Sequence, residues 1–545
     1  MPSPLDDYGC LRNGSCQLHE QLTVIGGDAV SLPGYVWKPL SEVLADIPPL
    51  QAQAAIDEKY PNAWGVWCRW QWMMTLTGMI EDVVIVVHGP EGCQASARVF
   101  HGAHFEQVFG LPFMHAPSSA MDNEQVILGG EEDLAETIRR VDAAYKPPLI
   151  VVHSNCCAGL NMDNVELVVE NLREEVNARL IYIPSEGFSC TWTGQVAELN
   201  VPMYAQLMEP PKKIDPKAVN MIGLYKDLWS NEKGNSPSRG CKAKYASNAD
   251  DLARMIEALG LTPHRALFGG NYESFRTAPE AAVNAIDCPC WGYPLAKAMQ
   301  ELYGTPYLKQ AKPIGVETTI KWINELAEFM HVEHAATKYI NYEYDRIKDV
   351  WEQAKQLAKG KVALIDGTRA AGAAVTRPLA QARFAMELGM RPYMYLLHPM
   401  AIKAKEETIR YFLGEGVDPL VLYGPFPEQK PPFPESALIE DLGVEPSDVV
   451  YFHNDVFPFA RLDKMDASNT AEFANAGQPF RRTKCGSRDI GFRGTEGMAR
   501  DLIAAIMASK RGKDDVRRGT LYARLRGPSF EFELPPQGTD KGKAV

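Results

Sequence analysis

Several absences narrow the reading of this chain before any motif does. Its 545 residues contain no run of about 18 apolar residues, which argues against a membrane-spanning helix. The opening MPSPLDDYGCLRNGSCQLHE has no basic stretch followed by an apolar one, so no secretory leader is expected. Positive charge is in deficit: 56 Lys and Arg against 69 Asp and Glu leave a formal net charge of -13. That balance argues against nucleic acid and against an anionic membrane as partners. No G-x-x-x-x-G-K-[ST] phosphate loop occurs, so ATP hydrolysis by this chain is not expected. GTRAAGA, at 367–373, follows a strand-like run but lacks the strict spacing of a dinucleotide loop. No short-period repeat is present.

What remains is an ordinary globular composition, 46% hydrophobic and 23% charged, long enough for about three or four domains. The 11 cysteines are an odd number with no leader, which is not a disulfide framework and points to a reducing cytoplasm. Any one of them alone is most simply a small buried hydrophobe.

Strand-like runs at 83–88, 149–153, 180–184, 362–366, 393–397 and 449–453 alternate with helical patterns at 132–144, 165–176, 250–259, 293–302, 320–359, 377–388 and 495–510. Strand and helix in alternation predict an α/β protein with parallel sheets covered on both faces. Three blocks are expected: 1–215, ending at the linker-like EPPKK; 216–345; and 346–512, reached through a long polar helix. Residues 513–545 form a charged arm.

Three thiols stand where strand-like runs meet loops: Cys68 in GVWCRW, Cys93 in VVIVVHGPEGC and Cys156 in LIVVHSNCCAGL. Ligands of open parallel sheets sit beyond the carboxyl ends of strands. Gly89 and Gly92 allow a tight backbone beside Cys93, and a helix start favours its thiolate. Soft thiolates in such places are metal ligands.

Taken in order, a cysteine 25 residues before HGPEGC, then MDNEQVILGGEEDL, then a strand ending in a cysteine before Gly159-Leu160 resembles nitrogenase component 1 and its relatives. The resemblance covers most of residues 60–190 and continues more weakly to about residue 510. It implies three Rossmann-like parallel-sheet domains. It also implies that Cys68, Cys93 and Cys156 hold one half of a P-cluster-like [8Fe-7S] cluster. That cluster would be shared with a homologous second subunit in an α2β2 heterotetramer. Cys157 would be a packed neighbour.

The stretch AVNAIDCPCWGYPLAKAMQELYGTPY is similar to the segment whose cysteine binds the end iron of the active-site cofactor. Counting back from Tyr303-Gly304 places Cys288, and not Cys290, on the ligand position. The cofactor implied is FeMo-cofactor-like, or an [8Fe-9S-C] cluster. In GQPFRRTKCGSRDIGFRGTEGM the family's second ligand, a histidine, is replaced: Lys484 falls there, with Cys485 beside it. Arg481, Arg482 and Lys484 would form a basic edge suited to neutralising an anionic cluster or holding an organic acid, and Arg98 is a further cofactor-binding candidate. In SEGFSCTWTGQVAEL the substrate-facing histidine is missing, and Thr193 and Gln195 stand in that stretch. Gln195, Thr193 and Lys484 are therefore the catalytic candidates, and dinitrogen is a doubtful substrate.

Electrons would come from a separate ATP-dependent iron–sulfur reductase. Within the family the chain resembles methylthio-alkane reductase, which cleaves small thioethers to methanethiol and a hydrocarbon. A cofactor-assembly scaffold and a nitrogenase isoenzyme subunit are the alternatives. The 25-residue interval is nearer to β-type subunits, while Cys288 is an α-type feature. A tetrapyrrole-type reductase with one shared four-iron cluster would lack Cys288.

Overall fold

The computed structural model describes residues 35–46, 70, 73–74, 77–78, 80, 82–95, 116–186, 206–223, 248–264, 270–366, 375–395, 406–423, 435–453, 471–474 and 489–509. Among these the strands, in chain order, are β1 (Val36–Pro39), β2 (Val83–His88), β3 (Leu149–Ser154), β4 (Arg179–Pro184), β5 (Asp215–Ile222), β6 (Thr262–His264), β7 (Ala281–Ile286), β8 (Val362–Asp366), β9 (Arg391–Tyr395), β10 (Leu420–Tyr423), β11 (Val449–His453) and β12 (Ala471–Ala474).

They form three sheets. The first has the order β2-β3-β4, the second β6-β5-β7, and the third β1-β10-β9-β8-β11-β12. Every pairing is parallel except the one at the edge, where β1 runs antiparallel to β10. This is the expected α/β architecture of three parallel sheets. Its cause is visible in the strands: β3, LIVVHS, is buried along its whole length, as a strand covered by helices on both faces must be. One large core cluster takes side chains from elements of all three sheets, including Ile181, Ile222, Ile286, Ile365 and Phe452.

Several features depart from the sequence reading. The strands β1, β5, β6, β10 and β12 were not expected, and β1, from the first expected block, joins the third sheet. The strand expected at 393–397 begins two residues earlier, and positions 396 and 397 lie outside the described residues. The single helix expected over 320–359 is two helices, Val316–Met330 and Glu333–Ala358. His331 breaks it in a left-handed conformation, φ 57°. Its N–H reaches Glu328 O, and the Val332 N–H reaches back to Ala327 O, 2.9 Å, closing a Schellman-type end. Met330 and Val332 pack on the core beside it. Glycine is the usual residue at such a stop, so a histidine there concealed it.

Strand order sets the place of the inner site. In the second sheet the chain moves from β5 to β6 on one side and to β7 on the other. The reversal between β5 and β7 is a topological switch point, where the loops leaving two adjacent strands diverge and open a crevice.

Candidate functional site

Two thiols leave the first sheet side by side. β2 and β3 pair in register from Val83↔Leu149 to His88↔Ser154. Cys93 stands in the helical turn 91–95 after β2, with its N–H on Pro90 O at 3.2 Å. Cys156 opens the helix Cys156–Asn161 directly after β3. Both thiols are partly exposed.

The two loops interlock. The Asn155 N–H donates to His88 O at 3.1 Å. The Asn155 side chain caps the Cys156 helix, accepting from Cys157 N at 2.9 Å. It lies where a side chain on Gly89 would be: a Cβ there would come within 1.8 Å of Asn155 Nδ2. Gly89 is thus required by the close approach of the second loop.

His88 closes the arrangement from beneath. It is fully buried, with Nε2 2.8 Å from Asp163 Oδ2 and Nδ1 2.9 Å from Ser119 Oγ. The Gly130 N–H also donates to Asp163 Oδ2, at 3.1 Å. A carboxylate only accepts, so Nε2 carries the proton. Ser119 then donates to Nδ1 while its oxygen accepts from Gly89 N at 3.3 Å. Burial pushes the imidazole below its usual range, against the pull of Asp163, so the ring is neutral near pH 7. The Gly-Gly turn of MDNEQVILGGEEDL, legible only as a pattern in the sequence, here seats the imidazole under the cysteine loops. Downstream of the Cys68 segment, Thr77 lies 2.8 Å from Nε2 of buried His153 at the end of β3.

The third candidate thiol is deeper. Cys288 is 5% exposed and stands as the N-cap of the helix Pro289–Tyr303, directly after β7. The Asp287 N–H donates to Ile222 O at 2.8 Å, which joins the ends of β5 and β7 at the switch point. Gly223, φ 91°, follows β5; a Cβ there would lie 2.6 Å from Cys288 O. The Cys288 thiol donates to Thr376 Oγ1 at 3.3 Å, at the start of the helix Thr376–Glu387. The thiol therefore bridges the second and third sheets.

Buried charge surrounds this position. Asp287 pairs with Lys312 at 2.7 Å, both side chains nearly fully buried. Burial pushes the Asp287 carboxyl up, with Lys312 opposing. Asp287 Oδ1 and Arg377 Nη1 are buried with no hydrogen-bond partner among the described residues. Arg377 Nη2 lies 3.6 Å from Asp489, which also accepts from Asn248 Nδ2 at 2.5 Å. The sequence reading passed over Asp163, Ser119, Lys312, Thr376 and Asp489, since none stands in a pattern of its own.

Cys93, Cys156 and Cys288 are thus the candidate ligands whose surroundings are described. The side chain of Cys290 is not among them. Cys68, Arg98, Thr193, Gln195, Arg481, Arg482, Lys484 and Cys485 lie outside the described residues, as do the 367–373 loop and the arm 513–545. Among the described residues no three of His, Cys, Asp and Glu converge on one point. A thiolate cluster fits the donor chemistry nevertheless. Cys93 and Cys156 are soft, accessible and adjacent in sheet order, and a Cβ on Gly92 would meet nothing within 4 Å, so the loop beside Cys93 has open space.

The chain is similar to known proteins in sequence and in fold. The sequence pattern of the family described as nitrogenase component 1 type oxidoreductase matches residues 72–425. A nitrogenase iron-molybdenum cofactor biosynthesis protein NifE of Methanococcus maripaludis is 27% identical over 308 residues, 54% of this chain and 59% of that protein. The nitrogenase molybdenum-iron protein alpha chain of Clostridium pasteurianum is 24% identical over 307 residues, 53% of this chain and 52% of that protein. A light-independent protochlorophyllide reductase component of Prosthecochloris aestuarii is 24% identical over 252 residues, 46% of this chain and 43% of that protein. The chain thus spans less than two thirds of the length of the curated relatives it matches. A solved structure of nitrogenase Cp1 at pH 6.5 superposes with a TM-score of 0.59 at 16% identity, covering 81% of this chain and 92% of that one.

Proposed function

Because the chain belongs to the nitrogenase component 1 type oxidoreductases, we propose that it is the catalytic, α-type subunit of a nitrogenase-like reductase acting on small thioethers. One observation carries the reading: thiols occur at two levels. Cys93 and Cys156 open from neighbouring strand ends, while Cys288 is buried deeper, at the switch point of the second sheet. Two levels suit one cluster that receives electrons and another that spends them.

In this reading Cys68, Cys93 and Cys156 hold a P-cluster-like group together with a homologous second subunit. Cys288 holds the inner cluster, with Cys485 or Lys484 at its far end and Arg98 and Arg481 offsetting its charge. The inner cluster supplies the stored electrons. Thr193 and Gln195 line the substrate side, and the lack of a histidine there suits a substrate less polar than dinitrogen. The reaction takes two electrons and two protons, R–S–CH3 giving RH and CH3SH.

An ATP-dependent reductase would dock on the first sheet. Ile127, Leu128, Leu160 and Met162 are 73–80% exposed. They sit on the helices Asn123–Leu128 and Cys156–Asn161 and the turn after the latter, tied by Asn161 Nδ2 to Gln125 O at 2.9 Å. Exposed Asp122 and Glu124 lie at the start of the first of these helices, and exposed Glu131, Glu132 and Glu166 at the starts of the helices Glu131–Tyr145 and Val165–Leu172 that follow. A small apolar patch with acidic neighbours suits a transient partner with a basic rim better than an obligate subunit contact.

A second reading has specific support. NifE, named as a cofactor biosynthesis protein, is among the relatives, and the replaced histidine suits a cofactor held for transfer. Anaerobic purification with the second subunit separates the two. The catalytic reading expects about sixteen iron atoms per heterodimer for two large clusters, against about four for a tetrapyrrole-type reductase with one shared small cluster. It expects methanethiol from thioethers with the reductase present, and Cys288→Ala to abolish that activity while the interface cluster keeps its spectrum. Full turnover in Cys288→Ala would sink the cofactor assignment. Cluster donation to an apo-enzyme without turnover would establish the scaffold.

A further inference from the structure

We infer that Asp163 and His88 are positioning residues which pass the seating of the reductase to the two cysteine loops of the first sheet. The inference rests on the docking surface proposed above, and its geometry is a continuous hydrogen-bonded chain. Met162 and Asp163 are neighbours that face opposite ways. Met162 takes a left-handed conformation, φ 60°, and is 80% exposed, whereas the Asp163 side chain is 3% exposed. That turn sends one side chain to the patch and the next into the core.

The second arm of the patch meets the same carboxylate. Leu128 is 75% exposed, and two residues later the Gly130 N–H donates to Asp163 Oδ2 at 3.1 Å. Both arms of the apolar surface therefore converge on one buried oxygen. That oxygen also receives His88 Nε2–H at 2.8 Å. His88 is the last residue of β2, and its carbonyl accepts from Asn155 N, which begins the turn into Cys156. On the other side of the imidazole, Ser119 bonds both Nδ1 and Gly89 N, at the start of the loop to Cys93.

A buried carboxylate shared by two donors cannot shift without straining or breaking one of them, because an unsatisfied partner is costly. A displacement of the Leu128 or Met162 segments on docking must therefore move the imidazole or release it. Either outcome changes the geometry of the loops that carry Cys93 and Cys156. Outer-shell partners of this kind set ligand orientation and cluster potential.

The test uses the assembled complex with its second subunit and its reductase, trapped with a non-hydrolysable ATP analogue. Midpoint potential and EPR line shape of the interface cluster are read with and without the reductase. In the natural protein, docking shifts both. Leu160→Glu weakens reductase binding by at least about tenfold. Asp163→Ala binds the reductase within about twofold of normal, loses the docking-induced shift, and transfers electrons about tenfold more slowly at saturation. Asp163→Asn keeps an acceptor oxygen for both donors and retains the shift. His88→Leu breaks the same link from the other end and repeats the loss should Asp163→Ala not accumulate.

A shift that survives both breaking variants overturns the relay, as does a natural complex that docks without any response. Loss of the second subunit in Leu160→Glu, in place of the reductase, overturns the assigned occupant. A preparation without iron, or one that never binds a reductase, overturns the functional reading itself.

Discussion

Cys288 shows how a single side chain acquires a role from its position. Its thiol is written in the sequence; its partner Thr376 is 88 residues away and was invisible there. Gly223 is the residue that lets the loop after β5 lie against it. With φ 91° and Cys288 backbone atoms at 2.6–2.7 Å from a would-be Cβ, any larger residue displaces the thiol or strains the turn. Gly223→Ala is expected to cost about 2–3 kcal/mol in stability, read as a lowered thermal midpoint, and to perturb the inner cluster before the outer one. An unchanged midpoint would mean that the two loops separate freely. The cysteines themselves were legible because thiolate chemistry is a property of the residue. Asp163 and Thr376 were not, since a carboxylate or hydroxyl has no meaning until something is placed beside it.

Among the elements, the strand-like runs that stand out in the sequence fall on strands, whereas β1, β5, β6, β10 and β12 were not legible there and helix ends were placed less well. β2, β8 and β11 occupy the expected positions, because a run such as VVIVVH has only one comfortable place, inside a covered parallel sheet. The break between Val316–Met330 and Glu333–Ala358 was missed because His331 carries out a task usually given to glycine. The opposite end of the first of these helices is fixed separately: Glu387 accepts from Glu317 N and Thr318 N at 3.1 Å. His331→Gly should relieve the left-handed strain and raise stability by about 1 kcal/mol. Chemical denaturation would show a higher midpoint. A lower one would mean that the imidazole contributes contacts outweighing the strain.

At the scale of the whole molecule the seam between the second and third sheets is the distinctive feature. The pair Asp287–Lys312, the pair Asn248–Asp489 and the Cys288–Thr376 bond all lie along it. Arg383 adds a further link, donating from Nη2 to Lys312 O at 3.4 Å. Lys312→Met leaves the Asp287 carboxylate buried without its counter-charge, at a cost of about 3–5 kcal/mol. Thermal unfolding of the purified complex should show that loss, and Asp287→Asn added to it should recover part. If Lys312→Met is silent, the pair does not hold the seam. At the other end of the chain, β1 borders β10 although their partners Val36 and Tyr423 are 387 positions apart. No local pattern announces such a pairing.

The sequence by itself determined the alternation of strand and helix, the parallel sheets, and that Cys93 and Cys156 follow strand ends. Each of these follows from side-chain chemistry and from periodicity within a few residues. Only the tertiary structure decided that β5 and β7 diverge around Cys288, that His88 and Asp163 meet beneath the cysteine loops, and that a lysine lies against Asp287. Those are contacts between distant segments, set by strand order and close packing, and a linear pattern carries no record of either.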